Sequence, residues 1–446
     1  MRILGIADTD SYVKWGAATL SRAPSDWERS LVVVETTLLP TEAQRRAAVD
    51  GLPGASEVPA VLSLAELTQR VVDEAPDVVF LSMRGPMIRV VIRAILGSSG
   101  KRPVIVSGLP GISIPATKKA LTFRAQVDLM VLHSRREIRD FAELAIQLGI
   151  VQDFGLAKLP FLQDADAHAE RSPAQRDEVV FAVQAKVPRV RSDRMEILEW
   201  LAECARRNPS LRVVLKLRAT GDEKQTHEEH YPYDQLLGEL RDRPANLVAE
   251  TGSMAAHLNR AVGLVTVSST ALIEAVALGI PGLALDDFGV SRKLINPVFE
   301  DSNLFGSAGE LIAAHFRHPD PDWLEDNYFH DDAENNWIDR LGALVAANEI
   351  EPLPMRRQRF GRAGGRLRYA WDRKRALGPL DTSATGRLVL VVGHPARVAL
   401  MGARRIRRLG RRVLRRNGAQ DPTESPETSP QPQSPSSSST RLPRVP

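Results

Sequence analysis

The stretch Gly263–Asp287, GLVTVSSTALIEAVALGIPGLALDD, gathers residue types that suit a phosphorylated ligand. The apolar run Gly263–Val267 reads as a buried strand. Ser268-Ser269-Thr270 then open a helix that bears Glu274 and stops at Gly279 and Pro281. Hydroxyl groups at a helix start lie beside backbone N–H groups with no partner inside the helix. The helix dipole adds partial positive charge there, so a phosphate or diphosphate is favoured. Glu274 falls four residues after Thr270, one turn deeper on the same face. Its carboxylate can accept two hydrogen bonds from a ribose or sugar hydroxyl pair. Spacing alone leaves a plainer option open, in which Ser269 or Thr270 merely caps the helix and Glu274 is solvated.

The first half of the chain offers candidate bases. Asp8 and Asp10 follow the first predicted strand, where a carboxylate could take a proton from an acceptor hydroxyl. Asp8 is equally suited to capping the next turn. His133, after a later strand, is the other candidate base, or else a satisfied structural histidine. Gly108-Leu109-Pro110-Gly111 forms a tight loop through which backbone N–H groups could approach a ligand. His227 and His230 share an acidic loop with Glu228 and Glu229, and their spacing defines no third metal ligand, so no metal is expected. No Gly-x-Gly-x-x-Gly follows a predicted strand, and Walker A, Gly-x-Ser-x-Gly and His-Glu-x-x-His sequences are absent. A nicotinamide enzyme, a P-loop NTPase and a zincin are thereby disfavoured.

These residues need elements to position them. Short apolar runs predict strands at Arg2–Ala7, Leu31–Glu35, Asp77–Ser82, Pro103–Ser107 and Asp128–Leu132, with a loop over Asp8–Trp15. Helical periods lie between them at Ser63–Glu74, Met87–Leu96 and Ser134–Leu148. The alternation restarts with strands at Glu178–Gln184, Arg212–Leu217, Asn246–Ala249, Gly263–Val267 and Gly282–Leu285. Its helices fall at Asp193–Arg207, Pro232–Arg241, Ser253–Arg260 and Thr270–Leu278. Buried strands alternating with helices indicate parallel sheets covered on both faces. The fold class is therefore α/β, with two doubly wound, Rossmann-like domains facing a cleft: residues 1–162, a polar linker 163–177, and residues 178–305. Residues 306–352 read as a helical crossover in which Trp323, Tyr328 and Trp337 are core or interface anchors.

Of 446 residues, 43% are hydrophobic and one, Cys204, is a cysteine, which excludes a disulfide framework. Charge is split along the chain: residues 1–355 hold 38 Lys and Arg against 50 Asp and Glu, whereas residues 356–416 hold 19 against 2. Within the Arg-rich segment 353–416, apolar residues alternate with arginines over 396–416. That pattern predicts a basic amphipathic helix lying on an anionic membrane surface. Residues 417–446, rich in Pro, Ser and Gln, read as disordered. With no signal-peptide pattern and no apolar run of transmembrane length, the expected location is cytoplasmic, peripheral at the inner face of the membrane.

Ser268-Ser269-Thr270 with Glu274, Ala275, Gly279 and Pro281 resembles the donor-site helix of GT-B glycosyltransferases. It is similar to that of the capsule Kdo transferases, the CDP-glycerol glycerophosphotransferases and the UDP-GlcNAc 2-epimerases. Through SGLPGISIPATKKAL (107–121), VLHSRREIRDFAELA (131–145) and LKLRATGDEKQTHEEHYPY (215–233), the chain from Arg2 to about Ile350 further resembles an actinobacterial glycosyltransferase family. The resemblance implies a GT-B-like fold and a nucleotide-sugar donor held as substrate by the second domain, with no cofactor and no essential metal. It also implies a glycan or lipid-linked acceptor on the first domain. Lys186 and Arg189, in the loop after the second domain's first strand, match positions where the family sets a cation against the donor diphosphate. Related capsule enzymes carry Lys-x-His-Pro where this chain has Lys216-Leu217-Arg218-Ala219. Lys216 or Arg218 can still neutralise a phosphate, and His227 is the candidate replacement for the missing histidine. Glycerophosphotransfer and sugar-nucleotide epimerisation fit the same scaffold. A non-catalytic scaffold whose basic tail binds nucleic acid is disfavoured, because no aromatic residue follows Trp371 to stack on bases.

Overall fold

The computed structural model describes residues 1–53, 57–98, 101–160, 162, 176–217, 229–356 and 365–389. Residues 1–387 form one compact unit. The tail expected to be disordered, the basic helix 396–416, and the linker residues 163–175 lie outside the described residues.

The unit is built on two all-parallel sheets. The first contains β1 (Arg2–Ala7), β2 (Glu28–Val34), β3 (Ala60–Leu62), β4 (Val78–Ser82), β5 (Val104–Gly108), β6 (Leu129–Leu132) and β7 (Asp153–Leu156). The second contains β8 (Glu178–Ala182), β9 (Arg212–Lys216), β10 (Leu247–Glu250), β11 (Ala261–Thr266), β12 (Gly282–Leu285) and β13 (Phe305–Gly306). Strand order is β3-β2-β1-β4-β5-β6-β7 in one and β10-β9-β8-β11-β12-β13 in the other. Both orders reverse between their first and fourth strands, and it is outside the carboxyl ends at such a reversal that doubly wound sheets bind ligands. β4, β5, β6 and β8 are buried at every residue, as sheets covered on both faces require.

One expectation is corrected here. The predicted loop Asp8–Trp15 is mostly helix: Asp10–Leu20 follows β1 directly, and Val13, Trp15, Ala17 and Leu20 bury one face of it. The Arg-rich segment begins against the first lobe. The helix Arg366–Leu377 lies against Gly85–Leu96 of the first lobe, with Arg93 stacked 4.4 Å over Tyr369 and Ala376 and Leu377 in the first-lobe core. The helix Trp337–Ile350 belongs to the first lobe too, since Trp337, Leu341 and Val345 pack on Ile3, Val78, Val104 and Leu129.

The start of the helix Arg135–Leu148 ties the lobes together. Arg136 donates to the carbonyls of Pro297 and Val298 at 3.0 and 3.3 Å, and Arg139 grips Asp326 with two bonds of 2.5 Å. Ile114 and Leu159 of the first lobe share an apolar cluster with Val180, Leu272 and Tyr328. No helix among the described residues is long and apolar enough to cross a membrane.

Candidate functional site

At the reversal of the second sheet, the ends of β8 and β11 are stitched by one side chain. Gln184 Oε1 accepts the backbone N–H of Ser268 at 2.9 Å and its hydroxyl at 3.1 Å. Thr266 Oγ1 accepts the N–H of Ser269 at 3.1 Å, and Ser269 Oγ accepts that of Ala271 at 3.2 Å. Ser268 is buried, so its hydroxyl braces the turn and offers no donor to a ligand, which corrects its expected role. Thr270, the residue before the helix Ala271–Ala277, makes no side-chain cap bond. A methyl group built on Gly111 of the first lobe would lie 3.9 Å from Thr270 Cγ2, so the Ser268–Thr270 turn faces the glycine loop after β5.

Glu274 follows one turn on. Among the described residues its half-buried carboxylate has no hydrogen-bond or ionic partner, and burial alone pushes it up to about 7 from the usual carboxylate range. This partial desolvation disfavours the ionised form in the fold relative to the unfolded chain.

The loop after β8 lines a basic pocket of about 200 Å³ bounded by Ala185, Lys186, Arg189, Arg194, His230 and Tyr231. Lys186 and Arg189 are exposed. Arg194, almost fully buried, holds both sides of the pocket. Its guanidinium donates to the carbonyls of Gln184, Ala185 and Pro188 at 2.8 Å each and of Tyr231 at 2.9 Å, pairs with Glu229, and stacks 4.7 Å over Tyr233. Lys216 is buried at the carboxyl end of β9 and donates to the Leu217 carbonyl at 2.6 Å. Arg218 and His227 lie outside the described residues, while His230 is exposed on the pocket rim.

The first sheet repeats the arrangement. Asp8, fully buried at the end of β1, accepts the backbone N–H of Arg84 at 3.1 Å and its Nε at 2.7 Å across the β1–β4 reversal. Burial raises its pKa, and the paired Arg84 guanidinium opposes that. What meets solvent is Arg84, about a third exposed; Asp8 is not a free base facing the cleft. Asp10 pairs with Lys14 at 3.0 Å through Oδ2 and leaves Oδ1 without a hydrogen-bond partner. His133 is wholly enclosed. Its Nε2 accepts from Trp15 Nε1 at 2.8 Å, its Nδ1 faces the Ala157 carbonyl at 2.9 Å, and burial lowers its pKa to about 4. Of the two options the sequence left open for it, both ring nitrogens being engaged within the fold favours the structural one. Gly108 must be glycine: a Cβ there would lie 2.6 Å from both Trp15 and the Val131 carbonyl.

Arg84, Gln184 and Arg194 were missed from the sequence. Each acts through contacts with loops on other strands, which local spacing does not reveal. A second cavity, of about 220 Å³, lies over the amino-terminal half of β2 beside Leu20, Arg29 and Arg70, away from both carboxyl edges. Among the described residues no cluster of three or more His, Cys, Asp or Glu could hold a metal ion.

Among solved structures, the UDP-GlcNAc 2-epimerase from Methanocaldococcus jannaschii is similar with a TM-score of 0.51 and 12% identity over 77% of this chain and 100% of that one. The corresponding epimerase from Neisseria meningitidis, bound to UDP-GlcNAc, gives a TM-score of 0.49 and 11% identity over 78% and 100%. The E. coli ADP-heptose heptosyltransferase II gives 0.35 and 13% over 78% and 100%. The first of these supports the fold alone, a GT-B-like pairing of two Rossmann-like lobes. No curated protein matches the sequence. Residues 3–344 match the family described as "Putative glycosyltransferase (DUF6716)", and over that span, about three quarters of its length, the chain belongs to this family.

Proposed function

We propose that the protein transfers a sugar from a nucleotide-activated donor to a glycan or lipid-linked acceptor at the cytoplasmic face of the membrane. The observation that carries the reading is Glu274: a half-buried carboxylate with no partner among the described residues, one turn past Thr270, on the helix that faces the first-lobe glycine loop. It accepts the hydroxyl pair of the donor's ribose or sugar. Lys186, Arg189 and Lys216 neutralise the diphosphate and stabilise it as it leaves, and Arg194 fixes the loop that carries the first two. On the acceptor side Asp10, a partly exposed carboxylate paired with Lys14, takes the proton of the attacking hydroxyl. Binding both substrates between the lobes supplies the positioning. No step in this scheme calls on a metal or a cofactor. The amphipathic segment 396–416 and the anionic bilayer supply the membrane contact.

The test is a thermal-shift panel of UDP-, GDP-, CDP-, CMP- and dTDP-sugars, since a ligand bound only by the native state raises its melting temperature. Turnover with the nucleotide that binds comes next. One class of nucleotide sugar should bind and Glu274→Ala should abolish the shift; the reading fails if none binds, or if Glu274→Ala binds like wild type. Product analysis separates a new glycosidic bond from a phosphodiester or an epimerised donor.

A further inference from the structure

The helix Arg366–Leu377 runs antiparallel to Gly85–Leu96, because Arg93 covers Tyr369 while Arg89, one turn earlier, lies 3.8 Å from Asp372. It therefore climbs toward the carboxyl edge of the first sheet, and its end meets the loop after β2: a methyl built on Gly378 would fall 2.9 Å from Thr37 Cγ2. This meeting gathers three leucines that the core leaves out. Leu38, Leu39 and Leu380 are 41%, 40% and 39% exposed. Arg375 and Arg387, both exposed and without an ion pair among the described residues, flank Leu380 along the chain. The acids of the same segment are spent, Asp372 on Arg368 at 3.2 Å and Asp381, fully buried, on Arg373 at 3.3 Å.

We propose that Leu38, Leu39 and Leu380, with Arg375 and Arg387, form a docking surface of the folded first lobe for an anionic lipid bilayer. Leucines beside uncompensated arginines match the layered chemistry of such a surface, acyl chains under phosphate headgroups. A second copy of the chain fits poorly, because it would bring the same arginines together, and three part-exposed leucines fall well short of the roughly 800 Å² per partner of a stable interface. The position connects this patch to the acceptor: Thr36, two residues before Leu38, donates through its hydroxyl to the Asp8 carbonyl at 3.2 Å. The bilayer would then lie against the rim of the acceptor lobe, where a lipid-linked acceptor enters the cleft. This last clause rests on the transferase reading; the docking surface itself does not.

The experiment is co-sedimentation of the full-length protein with vesicles of phosphatidylcholine alone and of phosphatidylcholine and phosphatidylglycerol in equal parts. Wild type should bind the mixed vesicles, and high salt should weaken binding. Leu38→Glu/Leu39→Glu and, separately, Leu380→Glu should each lower the partition coefficient about tenfold or more, as should Arg375→Glu/Arg387→Glu. All these side chains are exposed, and unchanged melting temperatures check that the variants fold. The proposal is overturned if wild type does not bind, or if the leucine variants bind as wild type does, which would assign attachment to another part of the chain. It is also overturned if sedimentation velocity shows a wild-type dimer that Leu38→Glu/Leu39→Glu dissociates. Because vesicle binding is read without a sugar donor, failure of the transferase reading leaves this result intact, and the reverse holds as well.

Discussion

Replacing Glu274 by Gln should make the ligand-free protein more stable and its ligand complex weaker. Burial raises this carboxyl from 4.5 to about 7. At 1.36 kcal/mol per pH unit that difference is about 3 kcal/mol, and residual solvent contact reduces it to about 2. The folded protein holds the proton more tightly than the unfolded chain does. The group's contribution is therefore complete below pH 4.5 and is lost as the pH rises through 7. Glutamine keeps the shape and stays neutral. Near pH 8, Glu274→Gln should melt about 4 to 8 °C above wild type if the second lobe unfolds as a unit of roughly 150 residues, and the advantage should shrink toward zero near pH 4.5. Donor binding should move the other way. The ionised carboxylate accepts both hydroxyls whereas an amide oxygen replaces only half of it, so the variant should lose roughly tenfold or more in affinity. Wild-type affinity should itself fall about tenfold per unit as the pH drops below 7. Differential scanning fluorimetry across pH, with and without nucleotide sugar, reads both effects. A variant no more stable than wild type near pH 8 would mean that the carboxylate has a partner, and the argument for a ligand would go with it.

Lys186→Ala/Arg189→Ala should weaken binding of the nucleoside diphosphate by about 10- to 100-fold and leave binding of the bare nucleoside unchanged; calorimetry with both ligands separates phosphate neutralisation from loop collapse. His133→Gln should cost about 2 kcal/mol of stability by disturbing the bonds to Trp15 and Ala157, yet leave the pH–rate profile in place, because a ring neutral down to about 4 carries no catalytic proton. Glu137 is the instructive contrast to Glu274. It too is pushed to about 7 by burial, but it accepts the N–H of His133 at 2.9 Å, the N–H of Ser113 at 2.7 Å and the Tyr328 hydroxyl at 2.9 Å. Glu137→Gln turns an amide N–H₂ against one of these donors and should destabilise the fold by about 2 to 4 kcal/mol at neutral pH, the opposite sign to Glu274→Gln in the same melting assay.

The buried strands were legible because four to six consecutive apolar residues leave few alternatives. The short edge strands β3, β7 and β13 were not, since two to four residues at a sheet margin carry little pattern. The helix Asp10–Leu20 was missed for a packing reason. Its middle is Gly16-Ala17-Ala18, small residues where periodicity looks for large ones, and a Cβ on Gly16 would lie 2.9 Å from the Ser82 side chain. Within the site, the run Ser268–Glu274 could be read because one segment supplies it. Arg84 and Gln184 could not, because their partners stand 76 and 84 residues away.

That distance explains why the partner of Asp8 was not legible. In a doubly wound sheet the first and fourth strands lie side by side while their chains depart to opposite faces, so the loop after the fourth strand leaves a backbone N–H that no ladder satisfies. Both lobes meet this need in the same way. Asp8 Oδ1 takes the N–H of Arg84 at 3.1 Å, and Gln184 Oε1 takes that of Ser268 at 2.9 Å. A polar residue just past the first strand was weighed as a base or a cap in one lobe and passed over in the other, yet in both it closes the reversal point. Each closure holds still the residues beside it: Arg84 in the first lobe, and Ser268 at the head of the Thr270–Glu274 turn in the second. In this scaffold an acid immediately after the first strand is a poor choice for a base whenever the loop after the fourth strand can reach it, and the carboxylates to test are those left without such a partner.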